Sequence, residues 1–599
     1  MTQTLYSMNW NLDNLYLEGS KSSQFHSHIK QLETLVIELE EKVHDFPNLL
    51  EEKHSFTVKS ILKQIGEVSI SLSQANSFIT CLIAQNPKDQ KAITLRGQVS
   101  SITARYESTV KKLQNVILNT SKNEWDEALE TKALSNYKFL LKEWSKKADT
   151  YLPGEEERLI SVLMVDGYHA WGQLYNSTVG SIKVKVNIEG ETKELSVGQT
   201  IQLRSHPSEE VRKTAHFALE EIWKEQEELF ALILNSIAGF RLQVYKKRGL
   251  ENVLIEPLHD NRLTEETLHS MWTAVSNYKK TFINYLNKKA AMNGDSKMQS
   301  YNFWASIGKG NQKIEYPEAV DFILKHYSFF GNELESFARQ AFENGWIEAE
   351  NRPNKSAVAF CANFPLSGES RIFMTYSESI TNVLTLAHEL GHAFHNYAMK
   401  HVDGLNRQYP LSIAETASTF SEQIILDAAL NEAKSTEEKL FVLDEKIKRS
   451  VMNFMNMHAR FLFEKTFYKE RKSGFVPSKR LNELMQESFD TAYEGSFENA
   501  SLHSWIWTPH YYLTKSPFYN FPYTFGYLFS LSLYSKSKES GKEFEKKYIE
   551  LLRDSGSMSI EDLVKKHLNE DITSVDFWEK GIKLCVKDIE EFLTLTSSE

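Results

Sequence analysis

Residues 381–400 read TNVLTLAHELGHAFHNYAMK, and this stretch decides how the rest of the chain is interpreted. It contains the pattern HExxH at positions 388–392, and its other positions are rich in apolar residues at helical spacing. The pattern therefore predicts a helix of roughly 15 to 20 residues with one buried face. Residues four apart on a helix differ by roughly 40° around the axis and about 6 Å along it, so His388 and His392 project from one face and can share an ion.

Neutral imidazole is a good ligand for zinc, which takes about four ligands at close to 2 Å. Glu389 follows the first histidine and reaches a water in the same site without binding the ion, so it is the candidate general base. With 18 histidines in the chain, chance alone gives an HExxH in roughly a few per cent of such proteins. The apolar helix around this one favours a catalytic site with one zinc ion per chain.

A catalytic zinc site needs a third protein ligand. His395 lies about 10 Å along the axis from His388, too far to share its ion, so it is predicted to support or pack against the site. A metzincin would also need glycine at position 395 and histidine at 398, which this chain lacks. The next helical segment, residues 411–431, carries Glu415, and a carboxylate from a second helix completes a His₂Glu site. We expect Glu415 to be the third ligand.

Glu422 lies seven residues after Glu415, on the same face of that segment. It is predicted either to accept a hydrogen bond from the outer nitrogen of a zinc-bound histidine or to be an exposed helix carboxylate. The spacing leaves both possibilities open.

The composition of the chain excludes several classes of protein. The chain has 599 residues, a net charge of −11 and a hydrophobic fraction of 41%, which exclude a disordered chain. No long basic run is present, so nucleic acid is not an expected partner. Three widely spaced cysteines, no signal-like N-terminus and no long apolar run predict a soluble cytoplasmic protein without a membrane partner. The low glycine and proline content favours long helices.

The helical pattern of the sequence is interrupted in two places by strand-like patterns. Residues 181–197 alternate and turn at 188–190, which predicts a β-hairpin inside a helical N-terminal lobe, residues 1–200. The remainder, residues 201–599, is predicted to be the catalytic domain. Two short runs before the HExxH helix, AVAFCANF at 357–364 and RIFMTYS at 371–377, predict two strands of a small sheet.

Four stretches give the chain a family resemblance. They are WNLD at 10–13, the strands at 360–376, TLAHELGHAFH with AETAST downstream, and the aromatic run from 510 to 527. With these the chain resembles the oligoendopeptidase F and thimet oligopeptidase family of zinc metallopeptidases. The resemblance implies a mainly α, zincin-like oligopeptidase, with a deep substrate channel and a small β-sheet beside the HExxH helix.

The resemblance also implies site residues. Family ligands correspond to His388, His392 and Glu415, and the catalytic base to Glu389, in agreement with the spacing. The second predicted strand is expected to be a sheet edge that pairs with the substrate backbone, or else an ordinary strand; its residues are Arg371, Ile372, Phe373, Met374, Thr375 and Tyr376. A histidine and tyrosines of the aromatic run are expected to stabilise the oxyanion. His510 fits this role, and Tyr519 and Tyr523 are favoured among several tyrosines that would otherwise pack in the core.

The predicted function is a zinc-dependent endopeptidase that hydrolyses internal bonds of short oligopeptides, with water activated by zinc and Glu389. Two alternatives remain. One is a zinc carboxypeptidase or dipeptidase of a related helical fold, which would need a cation for the substrate carboxylate. The other is a helical scaffold with a degenerate site, which the intact motif disfavours.

Overall fold

Long helices make up most of the chain, because few glycines and prolines interrupt its helical patterns. The computed structural model describes residues 6–47, 54–308, 313–352, 355 and 358–597. None of the helices in these ranges is long and apolar enough to cross a membrane. The mainly helical fold predicted from the sequence is confirmed.

The helices are, in chain order, α1 (Ser23–His44), α2 (Ser55–Gln85), α3 (Gln90–Asn119), α4 (Lys122–Leu129), α5 (Lys138–Ala148), α6 (Gly154–Met164), α7 (Ala170–Ser181), α8 (Val197–Gln202), α9 (Glu209–Lys247), α10 (Ile255–Asp260), α11 (Glu265–Met292), α12 (Tyr316–Phe330), α13 (Asn332–Glu343), α14 (Ile380–Ala398), α15 (Leu411–Ala414), α16 (Thr416–Glu432), α17 (Thr436–Val451), α18 (Met457–Arg471), α19 (Ser478–Tyr493), α20 (Ser504–Trp507), α21 (Phe521–Ser540), α22 (Phe544–Asp554), α23 (Ile560–Leu568) and α24 (Val575–Ser597).

The strands of the described residues are short and form three small sheets. They are β1 (Lys183–Ile188), β2 (Glu191–Ser196), β3 (Met298–Gln299), β4 (Ile347–Glu348), β5 (Phe360–Phe364), β6 (Glu369–Phe373) and β7 (Phe497–Glu498). β1 pairs antiparallel with β2, β3 pairs parallel with β7, and the third sheet has the order β4-β6-β5. The hairpin predicted near 181–197 corresponds to β1 and β2, which turn at Glu189 and Gly190 with positive φ at both.

Two compact units make up the chain, each from three stretches of sequence. The first unit comprises Met1–Asp149, Asn311–Ala428 and Leu533–Asp571; the second comprises Thr150–Gly310, Ala429–Ser532 and Ile572–Glu599. The division into residues 1–200 and 201–599 stays a prediction about domain organisation.

The first unit combines the N-terminal helices with the HExxH helix and the small sheet. Apolar faces of α1, α2 and α3 share one core with Phe364 of β5 and Phe373 of β6, both fully buried. In that sheet β6 pairs antiparallel with β5 and parallel with β4. The sheet therefore has the N-terminal helices on one side, and α14 follows β6 in the chain after six residues, 374–379.

A histidine held by two carboxylates links elements of the second unit. His503 places Nδ1 2.9 Å from Glu220 Oε2 and Nε2 3.1 Å from Glu227 Oε2, both glutamates lying on α9. Burial by itself lowers the pKa of His503, but hydrogen bonds and charge from the two glutamates outweigh burial and raise it above its ordinary value. Both ring nitrogens face acceptors, so the imidazolium form satisfies the site.

Replacing His503 by glutamine should lower the free energy of unfolding by roughly 2 kcal/mol at pH 6, the usual size for hydrogen bonds to charged groups. The loss should shrink at higher pH. A pKa raised by folding adds stability in full below the unfolded value, near 6.5, and that stability disappears as pH rises through the folded-state pKa. Urea unfolding at pH 6 and pH 9 measures this. His26→Gln, an exposed histidine of α1, should change stability little at either pH; a wild-type advantage over His503→Gln that grows toward pH 9 would contradict the assignment.

Candidate active site

Packing of α14 directs the two histidines of the HExxH pattern away from the core. The helix begins after Ser379, whose side chain accepts a hydrogen bond from the N–H of Asn382. One face is fully buried and contains Val383, Leu386 and Leu390. His388 and His392 retain 27% and 23% side-chain exposure. The predicted helix is therefore present, and burial of its apolar face leaves both imidazoles accessible.

The structure brings His388, His392 and Glu415 together. The Nε2 atoms of the two histidines lie 3.2 Å apart. Oε2 of Glu415 lies 3.5 Å from Nε2 of His388 and 3.6 Å from Nε2 of His392. These three atoms form a nearly equilateral triangle, and among the described residues they are the group of histidine, cysteine and carboxylate side chains spaced for one metal ion.

Glu415 occupies a break between two helices. The segment 411–431 was predicted as one helix, but α15 ends at Ala414 and α16 begins at Thr416. The carbonyl of Glu415 accepts from the N–H of Thr419 at 3.0 Å, so Glu415 starts α16. Ser418 Oγ donates to Glu415 Oε2 at 2.9 Å and fixes the carboxylate. The carboxylate lies beside the histidines, and Ser418 holds it there.

Each histidine of the triangle is also bonded on its outer side. Nδ1 of His388 lies 2.5 Å from Oε1 of Glu422. A carboxylate only accepts hydrogen bonds, so Nδ1 carries the proton and Nε2 presents its lone pair to the triangle. His392 is hydrogen bonded to the backbone of Ala414. Burial, followed by the charge of His388, lowers the pKa of His392, which favours the neutral, ligating form.

Glu389 lies on the same helix beside the triangle, with only 5% of its surface exposed. Burial raises its pKa to about 7; His388 acts in the opposite direction and Glu415 adds to the increase. A carboxyl group with a pKa near neutrality can both accept and donate a proton at physiological pH.

Gly391 permits the close approach of α14 to the start of α16. A Cβ atom at this position would lie 2.4 Å from the carbonyl oxygen of Ala417 and 2.6 Å from Cα of Ser418. Both are main-chain atoms, so no side chain can move aside to make room. Only glycine allows the two helices to meet at this distance, which is the distance that brings Glu415 to the histidines.

His395 is separate from the triangle, as its axial distance predicted. It is fully buried, with Nε2 3.0 Å from Oγ of Ser555, and its ring stacks on Tyr409 with centroids 4.1 Å apart. Burial lowers its pKa to about 3, so it stays neutral. His395 packs one end of α14 against the start of the loop that follows α22.

The edge position predicted for Arg371–Tyr376 is wrong. β6 is the central strand of its sheet, paired with β5 on one side. On the other side, N–H groups of residues 372, 374 and 376 donate to the carbonyls of Trp346, Glu348 and Ala349, each at 2.9 Å. The main chain of β6 is therefore occupied, and the side chain of Arg371 is fully buried.

β5 is an edge strand of this sheet, and no described residue forms a strand on its outer side. N–H groups of even-numbered β6 residues face β4, so the odd-numbered residues face β5 and bond with Phe360, Ala362 and Phe364. The main-chain groups of Cys361 and Asn363 point the other way. Both residues line a cavity of about 700 Å³ that His388, His392 and Glu415 also line.

The predicted oxyanion residues lie in the second unit, where they contact one another. His510 Nδ1 is 2.7 Å from Asn520 Oδ1. The His510 ring lies 5.0 Å from that of Tyr519 and 5.5 Å from that of Tyr523, between centroids. Burial lowers the pKa of His510. The three residues form one cluster, and their catalytic role stays a prediction.

Sequence reasoning gave no role to Ser418 or Gly391. Ser418 lies three residues after Glu415, a spacing at which a side chain returns to the start of its own helix. Gly391 lies within the HExxH pattern, where an interior helical glycine is costly and indicates a packing requirement. Both signals were present in the sequence.

Family models match most of the chain. The model for peptidase family M3 matches residues 202–584, and the oligopeptidase F model matches residues 117–183.

Individual relatives are distant but match over nearly their whole length. An oligoendopeptidase F homolog of Lactococcus lactis is 22% identical, covering 89% of this chain and 88% of its own length. Oligopeptidase PepF of Bacillus subtilis is also 22% identical, covering 97% of this chain and 86% of its own.

Solved structures share the fold. A structure from Chlamydophila abortus superposes with a TM-score of 0.83 at 20% identity over 98% of both chains. Oligoendopeptidase F from Enterococcus faecium gives a TM-score of 0.69 at 17% identity, covering 96% of this chain and all of that one. With the family M3 model spanning residues 202–584 and a His-His-Glu group spaced for a metal, this chain belongs to peptidase family M3 and is an oligopeptide-hydrolysing metalloendopeptidase.

Proposed function

We propose that this metallopeptidase uses one zinc ion, held by His388, His392 and Glu415, to hydrolyse internal bonds of short oligopeptides. The triangle of ligand atoms supports zinc. Ligands at about 2.1 Å from a tetrahedral ion lie about 3.4 Å from one another, and the three edges measure 3.2, 3.5 and 3.6 Å. Two imidazoles and one carboxylate leave a further position for water or substrate, as in catalytic zinc sites.

The chain's own residues carry the proton transfers. Zinc, when bound, supplies Lewis acidity that polarises the scissile carbonyl and acidifies water. A carboxylate oxygen of Glu389 removes a proton as the water oxygen bonds to the carbonyl carbon. The same carboxyl group then gives that proton to the amide nitrogen as the C–N bond breaks. Glu422 holds His388 in the tautomer that ligates through Nε2.

The free edge of β5 is the proposed site for the substrate main chain. Cys361 and Asn363, whose main-chain groups face outward, are among the residues that line the cavity of the three ligands, and an extended peptide can add to this edge as a further strand. β5 thus takes the substrate-pairing role that was predicted for β6, because β6 has strand partners on both sides. We also propose that His510, Tyr519 and Tyr523 stabilise the oxyanion; this role rests on the family resemblance.

Metal content and cleavage products test this function together. Elemental analysis of the purified protein should give one zinc per chain, and removal by a chelator should abolish hydrolysis. A short peptide blocked at both ends separates the alternatives, because an endopeptidase still cuts it and a carboxypeptidase does not. Bound metal without cleavage of any peptide in a mixed pool would instead support the scaffold alternative.

Replacing Glu389 by glutamine should lower kcat by roughly 10³-fold, because the amide cannot take the proton from water. Zinc content should stay at the wild-type level, since Glu389 is not a ligand. Glu38→Gln, at an exposed glutamate of α1, is the matched control and should leave kcat unchanged. Wild-type turnover by the Glu389 variant would remove its assignment as general base.

Replacing Gly391 by alanine should force α14 and α16 apart, because its Cβ would overlap two main-chain atoms. We expect a loss of roughly 1 to 3 kcal/mol in stability and at least about tenfold weaker zinc binding, as Glu415 moves from the histidines. Competition with a chelator measures the affinity. Gly97→Ala is the control: Gly97 lies in α3 with open space around it, and alanine should stabilise that helix by roughly 0.5 to 1 kcal/mol. Unchanged zinc affinity in the Gly391 variant would show that this close approach does not set the site.

A further inference from the structure

Arg407 lines the cavity that His388, His392 and Glu415 also line. Among the described residues around this cavity, it is the one whose side chain always carries a positive charge. It follows α14 in the chain and precedes Glu415. Arg407, Asn363 and Asn396 line both this cavity and a small one beside it. Arg407 therefore lies near the C-terminal end of β5, along whose edge the substrate main chain is proposed to bind.

Neutral groups hold Arg407 in place. Its Nε donates to the carbonyl of Val402 at 2.8 Å, and Nη2 donates to the carbonyl of Lys400 at 2.6 Å. These two bonds fix the planar group and use two of its five N–H donors. The side chain is half-buried, so its orientation is set by the turn that follows α14.

No carboxylate among the described residues forms an ion pair with Arg407. Asp403 is near enough to raise its pKa, although burial lowers it. The Asp403 carboxylate, however, already accepts from the hydroxyl of Tyr137 at 2.8 Å and from the N–H of Leu405 at 3.2 Å. Arg407 therefore keeps N–H donors that no described carboxylate accepts from, and its fork geometry matches a carboxylate.

We propose that Arg407 binds a carboxylate of the peptide that lies in this cavity and so selects substrates. The carboxylate is either the C-terminal one or that of an acidic side chain, since both have the same chemistry. This inference rests on the proposed function of the cavity. In the absence of such a ligand role, Arg407 would only clamp the turn at residues 400–402, and its loss would affect all peptides alike.

Three peptides of otherwise identical sequence test the proposal. One has a free C-terminus and no acidic residue, one is amidated and has no acidic residue, and one is amidated with a single acidic residue. Dissociation constants are measured on the Glu389→Gln protein, which does not consume the peptides. The ratio kcat/KM is measured on the enzyme that retains Glu389. We expect at least one carboxylate-bearing peptide to bind roughly 10- to 100-fold tighter than the neutral one. The peptide that binds more tightly identifies the source of the carboxylate.

Arg407→Gln should remove that preference, so that the carboxylate-bearing peptide loses far more affinity than the neutral one, and Arg407→Lys should keep part of it. Arg339→Gln is the matched control, because Arg339 is paired with Glu335 on α13 and should leave the preference intact. Two results would overturn the proposal. One is equal dissociation constants of all three peptides when Arg407 is present, and the other is an equal loss of affinity for all three in Arg407→Gln.

The two proposals fail in different ways. If the enzyme cuts all three peptides with the same kcat/KM and binds them equally, the role of Arg407 is wrong and the peptidase function stands. If none of many peptides is cut but carboxylate-dependent binding persists, the zinc endopeptidase mechanism is wrong and Arg407 still binds carboxylates.

Discussion

The contact between α14 and α16 at Gly391 is the constraint on which the site depends. Two main-chain atoms of α16 lie 2.4 and 2.6 Å from the position that a Cβ of residue 391 would take. The ligands come from these two segments, and their side chains are too short to compensate for a wider separation. Burial of the apolar face of α14 then fixes the rotation of that helix, and Ser418 and Glu422 fix the side chains. The candidate metal site thus depends first on helix packing.

Much of the site could be predicted because it follows from helical periodicity. The four-residue spacing of His388 and His392 places both on one face, and that relation holds wherever the helix lies in the fold. Glu415 was found by the same reasoning, as a carboxylate on the next helical segment. The break that separates α15 from α16 at this residue was not predicted. The apolar pattern continues on both sides of Glu415, so the break leaves no mark in the periodicity.

Strand order could not be predicted for a similar reason. β4 consists of two residues, Ile347 and Glu348, too few to show alternation. When β4 is overlooked, β6 has β5 as its one partner and is taken for an edge strand. Pairing between distant segments decides which strand is central, and a local pattern contains no information about such pairing. The accessible edge therefore belongs to β5.

Three residues with proposed roles lie at a fixed spacing along α16: Glu415 immediately before its first residue, Ser418 one turn later and Glu422 one turn further. Each residue added to a helix turns everything beyond it by about 100°. A single insertion or deletion between 415 and 422 would therefore rotate Glu422 away from His388 while leaving every one of these side chains in the sequence. The interval is as much a part of the active site as the residues, so a distant homologue that keeps all the residues but changes their spacing has lost the site.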